Sequence, residues 1–103
     1  MRGARAGNAV EVKVARLLDQ EGWLVGSRRH IGGAGDLLAA RGREVALIEV
    51  KSTAGGPYER FGPAERAAMF AVRERRPNLL LALYWWPPKF EGPIVYDSSV
   101  WPS

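Results

Sequence analysis

Asp36, Glu49 and Lys51 are the residues whose types and spacing point to chemistry. The stretch that joins them, DLLAARGREVALIEVK, holds two short apolar runs on either side of Arg41-Gly42-Arg43-Glu44. A Gly-X pair between two such runs is the signature of a two-residue type II′ hairpin turn. With Gly42-Arg43 as the loop, Arg41 pairs with Glu44, and counting outward sets Asp36 opposite Glu49. Directly paired side chains have Cβ atoms about 5 Å apart, and two like charges there are destabilising. A divalent cation bridging the carboxylates would offset that repulsion. Lys51 lies two residues beyond Glu49, so period-two alternation turns it to the same face. Two carboxylates and an ammonium at one end of an otherwise apolar hairpin are the parts of a metal-dependent phosphodiester-cleaving centre.

Each of these residues also has a plainer explanation. Asp36 follows Gly35 and would suit a turn. Glu49 interrupts an apolar strand, where an unpaired carboxylate is costly to bury, so an ion pair with Lys51 is the competing account. That pair alone would not explain why Asp36 is directed to the same place. Lys51 could position an attacking water and neutralise charge on a phosphate, or act as a base; the sequence leaves both open.

The elements that must carry this set follow from the flanking residues. Asn8-Ala9-Val10-Glu11 reads as an N-cap with an acid three positions later, so a helix is expected from there to about Gln20, with Gly22 as its stop. Val10, Val14, Leu17 and Leu18 fall on one arc of that helix, and Lys13, Arg16 and Gln20 on the other side. Glu11 lies on the inward flank. It is either a capping-box acid, a third carboxylate for the centre, or both. The first seven residues, MRGARAG, are expected as a flexible basic arm.

Trp23 to Arg28 reads as a strand, and the Gly-rich loop His30-Ile31-Gly32-Gly33-Ala34-Gly35 then delivers the chain to the hairpin, residues 36 to about 51. A second helix is expected from Pro63, where proline suits the first turn, ending before Pro77. Leu79 to Trp86 is continuously apolar and reads as a central or covered strand, and Ile94-Val95-Tyr96 as a last edge strand. The order αβββαβ(β) predicts an α/β fold, one mixed sheet flanked by helices.

At 103 residues the chain makes a single domain, residues 1–103, with 47% hydrophobic and 25% charged residues. Cysteine is absent and His30 is the sole histidine, which excludes disulfides and argues against zinc. No apolar run approaches the roughly 20 residues of a membrane span, so the expectation is a soluble, cytoplasmic protein. The formal net charge is +4, and twelve of the fifteen basic residues are arginine, whose planar fork suits phosphate.

Glu11, Asp36-Leu37-Leu38-Ala39 and Ile48-Glu49-Val50-Lys51-Ser52 together resemble the PD-(D/E)XK nuclease superfamily, and within it the archaeal-type Holliday junction resolvases. The likeness runs from about Arg5 to Val72 and implies a restriction-endonuclease-like domain. It further implies an Mg²⁺-dependent endonuclease, with Mn²⁺ as a substitute, that acts as a homodimer and makes paired nicks in four-way DNA junctions. By the same resemblance Glu11, Asp36 and Glu49 would hold the metal and Lys51 would complete the catalytic set. Two positions depart from the pattern: Gly35 stands where the superfamily's proline would, and Glu65 where these resolvases often carry glutamine.

Arg2 and Arg5 on the arm, and Arg28, Arg29 and His30 beside the loop, are candidate phosphate contacts, which would add salt-sensitive affinity without base selectivity. Adjacent Trp85 and Trp86 must face opposite ways in a strand, so one is expected to leave the core and mark an interface. Two rivals to a junction resolvase stand: a related nuclease acting on flaps, ends or plain duplex, and a basic domain that binds DNA without cutting it.

Overall fold

The hairpin forms in the expected register. In the computed structural model, which describes residues 2–28 and 33–103 (for 2–8 the backbone alone), β2 (Leu37–Arg41) pairs antiparallel with β3 (Glu44–Lys51). Arg41 faces Glu44, Ala39 faces Ala46 and Leu37 faces Ile48. Gly42 has φ +59° and Arg43 does not share a positive φ, which is the type II′ pattern that Gly-X favours.

Around this hairpin the sheet is mixed and five-stranded, in the order β1-β2-β3-β4-β5. β1 is Leu24–Ser27, β4 is Leu80–Trp85 and β5 is Ile94–Asp97. β3 and β4 run parallel, and such a pair needs a crossover, which α2 (Pro63–Arg75) supplies. β5 is an edge strand and β4 is interior, as their sequences require. A short 3₁₀ turn, Ser98–Val100, closes the chain and was not foreseen. The α/β architecture with one mixed sheet is therefore as expected.

The two faces of the sheet carry separate cores. On one, Val14 and Leu18 of α1 (Arg2–Gln20) pack on Leu37, Ala39, Ala46, Ile48 and Val50. On the other, Leu47, Leu81 and Leu83 meet Phe61, Met69 and Trp101. β3 thus sends alternate residues into opposite cores. That accounts for its continuous burial from Ala46 to Val50.

One expectation is corrected. α1 begins at Arg2 rather than Asn8, so residues 2–7 have a helical backbone and do not form an arm. Ala4, Ala6, Ala9 and the arginines favour helix strongly enough to absorb Gly3 and Gly7, which cost about 1 kcal/mol each. The tryptophans are corrected as well. Both Trp85 and Trp86 are half-buried and neither leaves the protein: Trp86 packs toward the α1 core, while Trp85 sits among Phe90 and Tyr96.

Candidate active site

The chain enters the site through a backbone that only glycine allows. Gly35 has φ +83°, and a Cβ there would lie 2.5 Å from the Leu47 side chain. Arg28 ties down the start of this segment: its backbone N–H donates to Asp36 O at 2.9 Å, and its Nε donates to Ala34 O at 3.0 Å. The Arg28 guanidinium is therefore engaged by the loop itself, a structural duty that its sequence position did not reveal.

Asp36 follows. Its N–H donates to Ile48 O at 2.8 Å, although Ile48 is the ladder partner of Leu37. Regular pairing stops there, so Asp36 is offset from the direct opposition to Glu49 that the turn alone predicts. Its carboxylate Oδ2 accepts the Val50 N–H at 2.8 Å, which holds the group against β3. This bond ends the hairpin with a side chain in place of a backbone carbonyl.

Glu49 and Lys51 extend β3 on the face of Leu47. Lys51 Nζ lies 3.1 Å from Glu49 Oε2, and both side chains are largely buried. Burial first, and the Asp36 carboxylate second, push the Glu49 carboxyl up from 4.5 to about 7; Lys51 opposes both. Glu65 adds to the repulsion. It stands in the first turn of α2, and its Oε1 accepts the Gly62 N–H at 2.9 Å, capping that helix. Sequence reasoning placed Glu65 as a departure from a family pattern, yet it shares the electrostatic field of the site. The crossover helix creates that proximity, and no local spacing signals it.

Glu11 approaches from the other layer. Val10 and Val14 beside it belong to the opposite core, while Lys13 Nζ lies 5.2 Å from the ring centroid of Trp86. Since the Trp86 N–H donates to Lys51 O at 2.8 Å, this part of α1 stands at the sheet end that carries the site. Glu11 is half-buried there. Among the described residues no three acidic, histidine or cysteine side chains gather closely enough to hold a metal ion. Asp36 and Glu49 offer carboxylate oxygens, the donor type that a hard cation such as Mg²⁺ prefers.

Of the candidate phosphate contacts, Arg29 and His30 lie outside the described residues, as do the side chains of Arg2 and Arg5. No family description and no curated protein sequence matches this chain. Among solved structures, it is similar to Hjc, a Holliday junction resolvase from the archaeal hyperthermophile Archaeoglobus fulgidus, with a TM-score of 0.69 over 93% of this chain and 92% of that one. This chain has the fold of an archaeal Holliday junction resolvase. The two sequences are 19% identical, so the likeness is one of backbone architecture. Asp36 precedes β2, and Glu49 and Lys51 end β3, so the three stand at one end of the hairpin. No helix among the described residues is long and apolar enough to cross a membrane.

Proposed function

We propose that the chain is an Mg²⁺-dependent endonuclease that resolves four-way DNA junctions by paired phosphodiester nicks. The observation that carries this reading is the convergence of Asp36, Glu49 and Lys51 at the end of β3, within a fold shared with a junction resolvase. Asp36 and Glu49 would hold the ion, with Glu11 joining from α1. When bound, Mg²⁺ would polarise the phosphate and lower the pKa of a water. Asp36 is held against β3 by the Val50 N–H, which donates to Oδ2. Lys51 Nζ, held by Glu49, would orient the attacking water and balance the charge that grows on the phosphate.

Two nicks in strands of matching polarity call for two sites related by a two-fold axis, so the working form is a homodimer. The sheet face left open beside α2 would suit a second copy. Leu24, Leu38 and Val45 are 79%, 38% and 39% exposed there. They adjoin a cleft of about 540 Å³ between the hairpin and Ala71, Val72 and Arg75 of α2. Contiguous exposed apolar area of this kind marks association surfaces.

The deciding experiment sets a synthetic four-way junction beside linear duplex of the same sequence, with Mg²⁺ and with EDTA. Symmetric nicks in the junction alone, and only with Mg²⁺, are expected. Equal cutting of both substrates would leave a less selective nuclease, and no cutting at all would leave a binding domain.

A further inference from the structure

The strand that neighbours Lys51 ends in a tight turn whose last two residues, Lys89 and Phe90, are exposed. Lys51 pairs with Trp85 in the parallel ladder, and the two alternate with Leu47 and Leu83 on the α2 face. Past Trp86 the chain turns through Pro87-Pro88-Lys89-Phe90, with the Phe90 N–H donating to Pro87 O at 3.2 Å. Lys89, third in that turn, has φ +72° and is the one described residue other than glycine with a positive φ. A type II turn favours glycine there, so a long cationic side chain is held in strained backbone. The Trp86 indole locks the arrangement by donating from Nε1 to Phe90 O at 2.8 Å.

The product of this device is an aromatic ring beside the site. Phe90 is 50% exposed, and its centroid lies 6.0 Å from that of Trp85. Trp85 is fixed in turn by donating from Nε1 to Thr53 O at 2.8 Å, two residues past Lys51. One exposed cation, Lys89, lies within the turn beside Phe90, and a second, Lys13, lies over the adjacent Trp86 on the α1 side. Aromatic faces interleaved with cations are the means by which proteins hold unpaired bases, since every base has a π-face and every nucleotide a phosphate.

We propose that Phe90 receives an unstacked nucleobase next to the cleaved phosphate, while Lys89 contacts a flanking phosphate. The inference rests on the nuclease reading and deepens it: the turn selects DNA that already has a disrupted stack, as at a branch point. Unstacking a base in continuous duplex costs free energy that a branch has largely spent.

Binding in EDTA tests this without requiring cleavage. The probes are a four-way junction carrying 2-aminopurine at the branch and a continuous duplex of the same composition. Phe90→Ala is expected to weaken junction binding about five- to a hundred-fold, the range for losing one stacked base, with duplex binding unchanged. Phe90→Trp restores it. The 2-aminopurine emission is expected to be quenched by the wild type and by Phe90→Trp, but not by Phe90→Ala. Lys89→Gly, which suits the turn better, is expected to lower the slope of log affinity against log salt by about 0.9. Unaltered junction affinity and emission in Phe90→Ala, or a wild type that binds no junction, would overturn the proposal. A failure of the nuclease reading shows separately, as absence of Mg²⁺-dependent nicks by a wild type that still binds.

Discussion

Asp36 and Val50 are joined by a bond from backbone to side chain: the Val50 N–H meets Asp36 Oδ2 at 2.8 Å. The strand that carries Glu49 and Lys51 therefore also positions the acid that faces them. Asp36→Asn keeps an oxygen for Val50 and removes the charge. Under the proposed mechanism it should lower junction cleavage by more than about 100-fold, beyond the 10–100-fold typical of residues that merely support a metal ligand. Junction binding in EDTA should stay within threefold or so of wild type. Asp36→Ala should in addition cost about 1–3 kcal/mol in urea denaturation, from the stranded Val50 N–H. Retained cleavage in Asp36→Asn would remove this residue from the mechanism.

Glu49 makes stability depend on pH in a direction opposite to that of most carboxylates. Its folded pKa, about 7, lies above the ordinary 4.5, so the native state takes up a proton more readily than the unfolded chain. The contribution is fully present below pH 4.5 and is lost as pH rises through 7, by about 3 kcal/mol at most at 1.36 kcal/mol per unit. Glu49→Gln should then be more stable than wild type at pH 8 and nearly equal at pH 4.5. Parallel urea midpoints for the two proteins across that range would refute the assignment. Mg²⁺ should stabilise the wild type at pH 8 and leave Glu49→Gln unchanged, because the ion competes with the proton for the same carboxylate.

Glu65 offers a gentler handle on the same group. Glu65→Gln keeps an oxygen for the Gly62 N–H, so α2 stays capped, while one source of repulsion on Glu49 disappears. The pH at which half-maximal cleavage is reached should fall, with little change in the thermal midpoint. A shift to higher pH would contradict the electrostatic role given to Glu65.

Lys51→Gln breaks the 3.1 Å pair with Glu49. Loss of Lys51 removes the influence that holds the Glu49 carboxyl down, so its titration should move further up. Cleavage should fall by about 100-fold or more, the cost of losing one preorganised charge-stabilising group. The titration is observable by carbon-detected NMR of the carboxyl, and a Glu49 pKa that stays in place would show that the pair is incidental.

Much of this site was legible because its spacing is local. Gly42-Arg43 fixes the hairpin register, alternation sets Glu49 and Lys51 on one side, and proline bounds α2 at Pro63. What escaped is tertiary. The offset of Asp36 arises where the ladder meets the Gly35 turn, so extrapolating the pairing by one residue overshoots. Glu65 and Phe90 reach the site through a crossover helix and a strand end that are distant in sequence. The start of α1 was misplaced because Asn8-Ala9-Val10-Glu11 has the pattern of an N-terminal cap, although alanine and arginine before it carry the helix back to Arg2.

Gly35→Ala should show how closely site and core are bound. The added methyl meets Leu47 at 2.5 Å in a left-handed backbone, so both the α2 core and the approach to Asp36 must shift. A loss of about 1–3 kcal/mol is expected in urea denaturation, together with reduced cleavage. Gly42→Ala, with open space around it, should cost only the strain of its φ and leave cleavage largely intact.

The turn at Gly42-Arg43 touches neither DNA nor metal in this scheme and is fully exposed, the kind of place where protein families usually accept extra residues. Here it acts as a ruler. One residue added to it would exchange inside for outside along either strand, sending Glu49 and Lys51 into the α1 core and Ile48 and Val50 into the catalytic face. A segment at the far end of the hairpin from the chemistry is thus one whose length is not free to vary. Among functional relatives, insertions should collect between Ala54 and Gly62 and between Phe90 and β5, and spare this turn.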